Sequence, residues 1–177
     1  MTTRIGELYQ EDIFNQIKQN GREMPQTMND IKIYPSGYEN IFNPHFHNWE
    51  IENKIPILIL NSTVVNNGHN WRFTASGMGE SQYMYDTTVD KNKVNDFIRY
   101  EEFNEEKFKK FKISDAVASS SCVPGLFDPI ELEDLYTKGE TIKLIDGGVY
   151  DNLGLASLFD EECDVIICSD ASGQFKD

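Results

Sequence analysis

TIKLIDGGVYDNLGLASLF, residues 141–159, holds the densest structural signal in the chain. Apart from Lys143, an apolar run leads to a single acid, Asp146, and two glycines follow at once, Gly147 and Gly148. The run 141–146 has strand composition, and 153–159 reads as a helix of a turn or two. Asp146 then stands at the C-terminal end of a strand, where open α/β sheets gather their ligands and catalytic groups. A plain turn is the alternative, because glycine accepts φ > 0 and Asp bonds its local backbone.

Further strands are expected at IPILILNSTVV (55–65), WRFTAS (71–76), around 129–132, and DVIICSDAS (164–172). Asn66-Asn67-Gly68 makes a turn between the first two, and Lys138-Gly139 makes another. Helices are expected over 3–19, ending at Asn20-Gly21, and over 95–112, where Phe97, Tyr100, Phe103, Phe108 and Phe111 form an apolar stripe. Glu105 and Glu106 precede Lys109 and Lys110 by four residues, the supportive order on a helix. Ser114 is placed to cap a short helix, DAVASSSC, which Pro124-Gly125 stops. Residues 21–50 show no clear period and read as loops. Strand, helix, strand at this spacing gives an α/β sheet as the expectation.

Composition bounds the function. The chain has 177 residues, enough for one domain with a core, and a formal charge of −14. Such a field repels nucleic acid and anionic membrane surfaces, so no nucleic-acid partner is expected. No apolar run approaches the ~20 residues of a membrane span, and the first residues lack a signal-peptide layout. The expected location is cytoplasmic or membrane-peripheral. Cys122, Cys163 and Cys168 are an odd set in apolar settings and read as buried thiols.

Several chemistries fall away. An EF-hand needs an oxygen ligand where Gly148 stands, and GxGxxG is absent. His45-x-His47 has the spacing to grip a metal from one strand face, but no acid or cysteine cluster completes it. No metal and no cofactor are expected. No histidine has the setting of a Ser-His-Asp triad. An aspartate acting directly on a nucleophilic hydroxyl remains, and glycines at 147 and 148 would let another loop approach its carboxylate closely.

Four stretches in order, ILILNSTVVNNG, SDAVASSSCVPGLFDPIEL, LIDGGVYDNLGL and DVIICSDASG, resemble the patatin-like phospholipases, a family of serine acyl hydrolases. The resemblance covers about residues 55–172 and leaves 1–50 unassigned. It implies a partial three-layer α/β/α domain with a central mostly parallel sheet and a Ser-Asp dyad without histidine, acting on a lipid or other acyl ester, with possible transient membrane contact. Asp146 matches the dyad aspartate, Gly147 and Gly148 complete its Asp-Gly-Gly/Ala motif, and Asn152 follows at the usual place.

One part of the family pattern is absent. The sequence contains no GxSxG and no glycine-rich oxyanion loop. Ser76 is flanked by Thr74 and Met78, and Ser81 by Gly79 and Tyr83. Ser119, Ser120 and Ser121 read as packing and capping residues. In the family both missing parts precede the aspartate motif. The expectation is therefore one incomplete domain over 1–177, inactive alone, exposing apolar surface and lacking the upstream part of the same domain. The alternative is a remnant that binds a lipid or a protein without turnover.

Overall fold

The computed structural model describes residues 2–16, 18–19, 22–23, 26–38, 42–81 and 88–170. Helix α1 (Thr2–Leu8) runs into a π-helical segment, Tyr9–Phe14. The helix expected over 3–19 is therefore shorter, and its proposed stop at Asn20-Gly21 lies outside the described residues. Short strands β1 (Lys18–Gln19) and β2 (Arg22–Glu23) pair with each other, a 3-10 turn spans Met28–Ile31, and α2 is Pro44–His47. The main sheet holds β3 (Leu60–Val64), β4 (Asn70–Phe73), β5 (Gly77–Glu80), β6 (Ile98–Arg99), β7 (Ile130–Glu133) and β8 (Thr141–Asp146). Four helices complete the described elements: α3 (Glu106–Lys109), α4 (Ile113–Ser120), α5 (Gly148–Asp151) and α6 (Leu155–Asp160). Among the described residues no helix is long and apolar enough to cross a membrane.

The strand order is β6-β5-β4-β3-β8-β7, and every pair is antiparallel. This corrects the expected mostly parallel sheet. Parallel neighbours need crossovers of a dozen or more residues, whereas short turns join β3 to β4, β4 to β5 and β7 to β8. The crossover expected after β8 has no strand to reach. Residues 164–170 form no strand, and Val165 and Ile167 are 79% and 91% exposed. Residues 171–172 of that expected strand lie outside the described residues.

Alternation along the strands sorts the two faces. Val64, Trp71, Phe73, Met78, Leu132, Ile142 and Leu144 point into one buried core. Tyr100, Phe103, Phe108 and Phe111 close over it, and Phe111 stacks on Phe73 at 5.2 Å. These aromatics do not form the expected helix over 95–112. Their spacings of three and five residues suit a chain that bends to bury each ring. Phe103 and Glu105 are extended and break any long helix there, leaving a 3-10 turn at Tyr100–Glu102 and α3. Within it the Glu106–Lys110 pair forms at 3.6 Å, while Glu105 meets Lys107.

Helix α4 packs beneath β3 and β8, and α1 packs on α4. The cap of α4 is Lys112, not Ser114, which is fully buried in the first turn with its hydroxyl unpartnered among the described residues. Its expected end at Cys122 is close, since the helix stops at Ser120. Residues before 50 are built into the same unit. Met28 is buried in the core, and its N–H donates to Phe111 O at 2.9 Å. The opposite face of the sheet is polar. Asn70 Nδ2 donates to Ser157 Oγ at 3.0 Å, and Ser157 donates to Asn61 Oδ1 at 2.6 Å. Arg72 reaches Asp160 and Glu161 of the α6 end at 3.3 and 3.2 Å. Helices thus cover both faces of the sheet. Cys122 is buried, but Cys163 and Cys168 are exposed, against expectation, because the segment meant to bury them is not a strand.

Candidate active site

The end of β8 is held by its neighbours at every backbone group that matters. Asp146 N–H donates to Cys122 O at 2.9 Å, and Gly147 N–H to Ser120 O at 3.4 Å, so the loop is stitched to the C-terminal end of α4. Thr63 Oγ1 donates to Asp146 O at 2.9 Å and accepts Tyr150 N–H at 3.1 Å. One β3 hydroxyl thereby braces both the strand end and the start of α5.

The two glycines differ in purpose. A Cβ on Gly147 would lie 2.5 Å from the backbone oxygen of Asn61, inside contact distance. Glycine is needed there because β3 passes too closely. A Cβ on Gly148 would meet the Asn152 side chain at 2.9 Å, a movable end. Gly148 N–H donates to Asp146 Oδ1 at 2.7 Å. That bond fixes the half-buried carboxylate through one oxygen. Among the described residues, Oδ2 accepts no hydrogen bond.

Asp151, which sequence reasoning passed over, anchors the other end of the loop. Its Oδ1 accepts Leu153 and Gly154 N–H at 3.0 and 3.1 Å, and its Oδ2 accepts Ala156 N–H at 2.7 Å. These are free donors at the start of α6, the place where a carboxylate is favoured. The signal was the Asp followed after two residues by glycine. Gly154 itself has φ +69°, a left-handed turn that glycine adopts without strain.

Among the described residues no serine hydroxyl bonds the Asp146 carboxylate. Ser62 stands opposite Asp146 in the β3–β8 register, but its Oγ bonds Ser119 Oγ at 2.8 Å and both residues are fully buried. Ser121 Oγ donates back to Val117 O at 3.0 Å. Ser119 and Ser121 are packing residues, as expected. Ser76 sits in a turn with Thr74, their hydroxyls 3.0 Å apart. Ser81 is buried just beyond β5. Strand β5 lies three spacings from β8 in the sheet order, about 14 Å. Neither serine adjoins Asp146.

Other polar clusters serve elsewhere. His47 Nδ1 accepts Asn43 N–H at 2.8 Å, which uses one ring nitrogen of the His-x-His pair; the His45 side chain lies outside the described residues. No group of histidine, cysteine and acidic residues suited to a metal occurs among the described residues. His69, which sequence reasoning left aside, is buried between Glu80 Oε2 at 2.7 Å and Asp90 Oδ2 at 2.8 Å. His69 thus joins two carboxylates through its two ring nitrogens. Asp90 is accordingly depressed below the usual carboxylate value, by the Asn92 N–H first and by His69 next.

Apolar side chains flank the Asp146 loop. Val123, Leu126, Val149, Tyr150 and Leu153 are all exposed. A cleft of about 540 Å³ opens at the same end of the sheet, between residues 55–58 leading into β3 and 74–76 leaving β4. Asp146 is not among its lining residues.

Comparison with known proteins decides the family. The family model described as patatin-like phospholipase matches residues 4–159. The chain belongs to the patatin-like phospholipase family. This is a family of lipid acyl hydrolases, so the hydrolase class follows from membership. Neither a curated protein nor a solved structure matches the chain. The patatin-like match begins far earlier than the motifs at 55 and takes in residues 4–50, which the sequence reading left unassigned. It ends at Phe159, before the 164–172 stretch that the sequence reading counted as a fourth motif.

Proposed function

We propose that this chain supplies the aspartate of a patatin-like Ser-Asp dyad, with Asp146 as general base and Gly147-Gly148 as the turn that aims it. The observation that carries the reading is the carboxylate itself. One oxygen is fixed by Gly148 N–H at 2.7 Å, and the other accepts no bond from the described residues. A general base needs that arrangement: a rigid anchor and one open oxygen within hydrogen-bond reach of a hydroxyl.

The nucleophilic serine and the oxyanion loop come, in this reading, from residues outside this sequence. Three observations support it. GxSxG is absent from the 177 residues. The hydroxyl opposite Asp146 is buried and bonded to Ser119. Residues 164–170, strand-like in composition, form no strand, and Val165 and Ile167 are exposed.

In the complete site, the serine hydroxyl donates to Asp146 Oδ2 and its oxygen attacks the acyl carbonyl of a lipid ester. Asp146 takes the proton and returns it to the departing alcohol, leaving an acyl-serine. Asp146 then takes a proton from water, whose oxygen attacks the acyl-serine, and the serine leaves with that proton. Backbone N–H groups of the oxyanion loop hold the developing negative charge. The substrate is a membrane or aggregate lipid met transiently at the surface of a peripheral protein.

Labelling the native protein that carries this sequence with a fluorophosphonate, then mapping the labelled peptide, tests this reading. The label is expected on a GxSxG serine outside residues 1–177. A label on any serine within them would overturn it.

A further inference from the structure

We infer that the cleft beside residues 55–58 is a binding site for a single-chain anionic amphiphile, a long-chain fatty acid, distinct from Asp146. Its volume of about 540 Å³ falls within the range of about 300–1,000 Å³ usual for small-molecule sites. The walls are apolar: Ile31, Ile33, Phe42, Ile55, Ile57 and Leu58 line it. Ile33 and Leu58 are half-exposed although they face a concave surface, which is apolar area left for an occupant.

The head group follows from the charges. Lys32, Arg99 and Glu101 are the charged residues lining the cleft. Glu101 is shared, at 3.7 Å from Lys32 Nζ and 3.9 Å from Arg99 Nη1. Two cations on one carboxylate leave the rim with one positive charge, in a chain whose net charge is −14. Glu102 lies near, but its carboxylate turns to the Arg99 backbone N–H and does not line the cleft. The hydroxyls of Thr74 and Ser76 bond each other at 3.0 Å and ask for no ligand. An apolar trough ending at a guanidinium and an ammonium fits an alkyl chain bearing a carboxylate.

The walls are braced as a preformed site requires. Asn48 holds Ile55 through both backbone groups, donating to its C=O at 2.9 Å and accepting its N–H at 2.8 Å. Segment 43–48 is thereby tied to segment 55–58. The site does not use Asp146, so its test is independent of hydrolysis.

The purified 177-residue chain would be titrated with cis-parinaric acid, a fluorescent long-chain fatty acid, below its aggregation concentration, and with its methyl ester. Saturable one-to-one binding of the acid is expected, with the ester about tenfold weaker. The double variant Lys32→Gln, Arg99→Gln should bring the acid down to the affinity of the ester and leave the ester unchanged. Ile57→Trp, which fills the cleft, should weaken both. Equal binding of acid and ester by the unaltered chain would overturn the proposal. So would binding seen only with phospholipid vesicles, which would mark a surface and not a cleft. Arg99 is exposed and Lys32 half-buried at the rim, so the charge variants decide the question even if Ile57→Trp does not fold.

Discussion

Gly148 N–H meets Asp146 Oδ1 at 2.7 Å, while Gly147 leaves no room for a side chain beneath the β3 backbone. Adjacent glycines in one motif therefore answer to different constraints. Gly147→Ala would place Cβ 2.5 Å from the Asn61 backbone oxygen and force β3 and β8 apart. It should cost about 1–3 kcal/mol in denaturant unfolding. Gly148→Ala meets only side-chain ends, Asn152 at 2.9 Å and Asp146 Oδ1 at 3.2 Å, and position 148 begins a helix. Its stability should stay within about 1 kcal/mol of the unaltered chain.

His69 should matter more than its distance from Asp146 suggests. It bonds Asp90 and the fully buried Glu80, whose other oxygen is bonded by Asn67 and Asn95. His69→Ala leaves a buried oxygen of Glu80 without its ring partner. A loss of about 1–3 kcal/mol is expected in denaturant unfolding. The Asp90 bond adds a pH limit. Its folded value is depressed, so the stability it confers is present above the unfolded value and lost as pH falls through the folded one.

Asp115 has the opposite sign. It lies on α4 against Gly6 of α1, where an added Cβ would stand 2.5 Å from its Oδ1. Burial pushes its carboxyl above the ordinary 3.8, against the pull of Lys112 and with help from Glu7. Between the unfolded and folded values the folded chain holds more protons. Its contribution is complete below 3.8 and is lost as pH rises through the folded value. Asp115→Asn removes a charge that folding desolvates. Thermal unfolding should show a higher Tm than the unaltered chain at pH 7, with the difference shrinking as pH falls toward 4.

Local pattern was legible wherever a segment answers to itself. TIKLID is a strand over the expected residues because its alternation is clean and its partner β7 lies one turn away. Asp-Gly-Gly announced a constrained turn, since no regular element prefers it. Pairing direction was not legible. Strand composition at 164–172 looked like the far end of a crossover, and a single sequence does not say whether such a run finds a neighbour. Residues 95–112 misled for another reason: five aromatics near helical spacing are equally what a bending chain needs to roof a sheet. Asp151 was missed because its role is purely backbone capping three to five residues away. The fatty-acid cleft was beyond reach, as it joins residues near 32, 55 and 99 that no motif connects.

The central claim is that Asp146 is the base of the dyad. Its most direct test is the rate of acyl-ester hydrolysis by the native protein carrying this sequence, with and without Asp146→Asn. The substitution keeps the shape and the Gly148 contact while removing the basic oxygen. A fall of at least about 100-fold in kcat with unchanged unfolding stability is the predicted result. Hydrolysis within twofold of the unaltered protein would contradict the account.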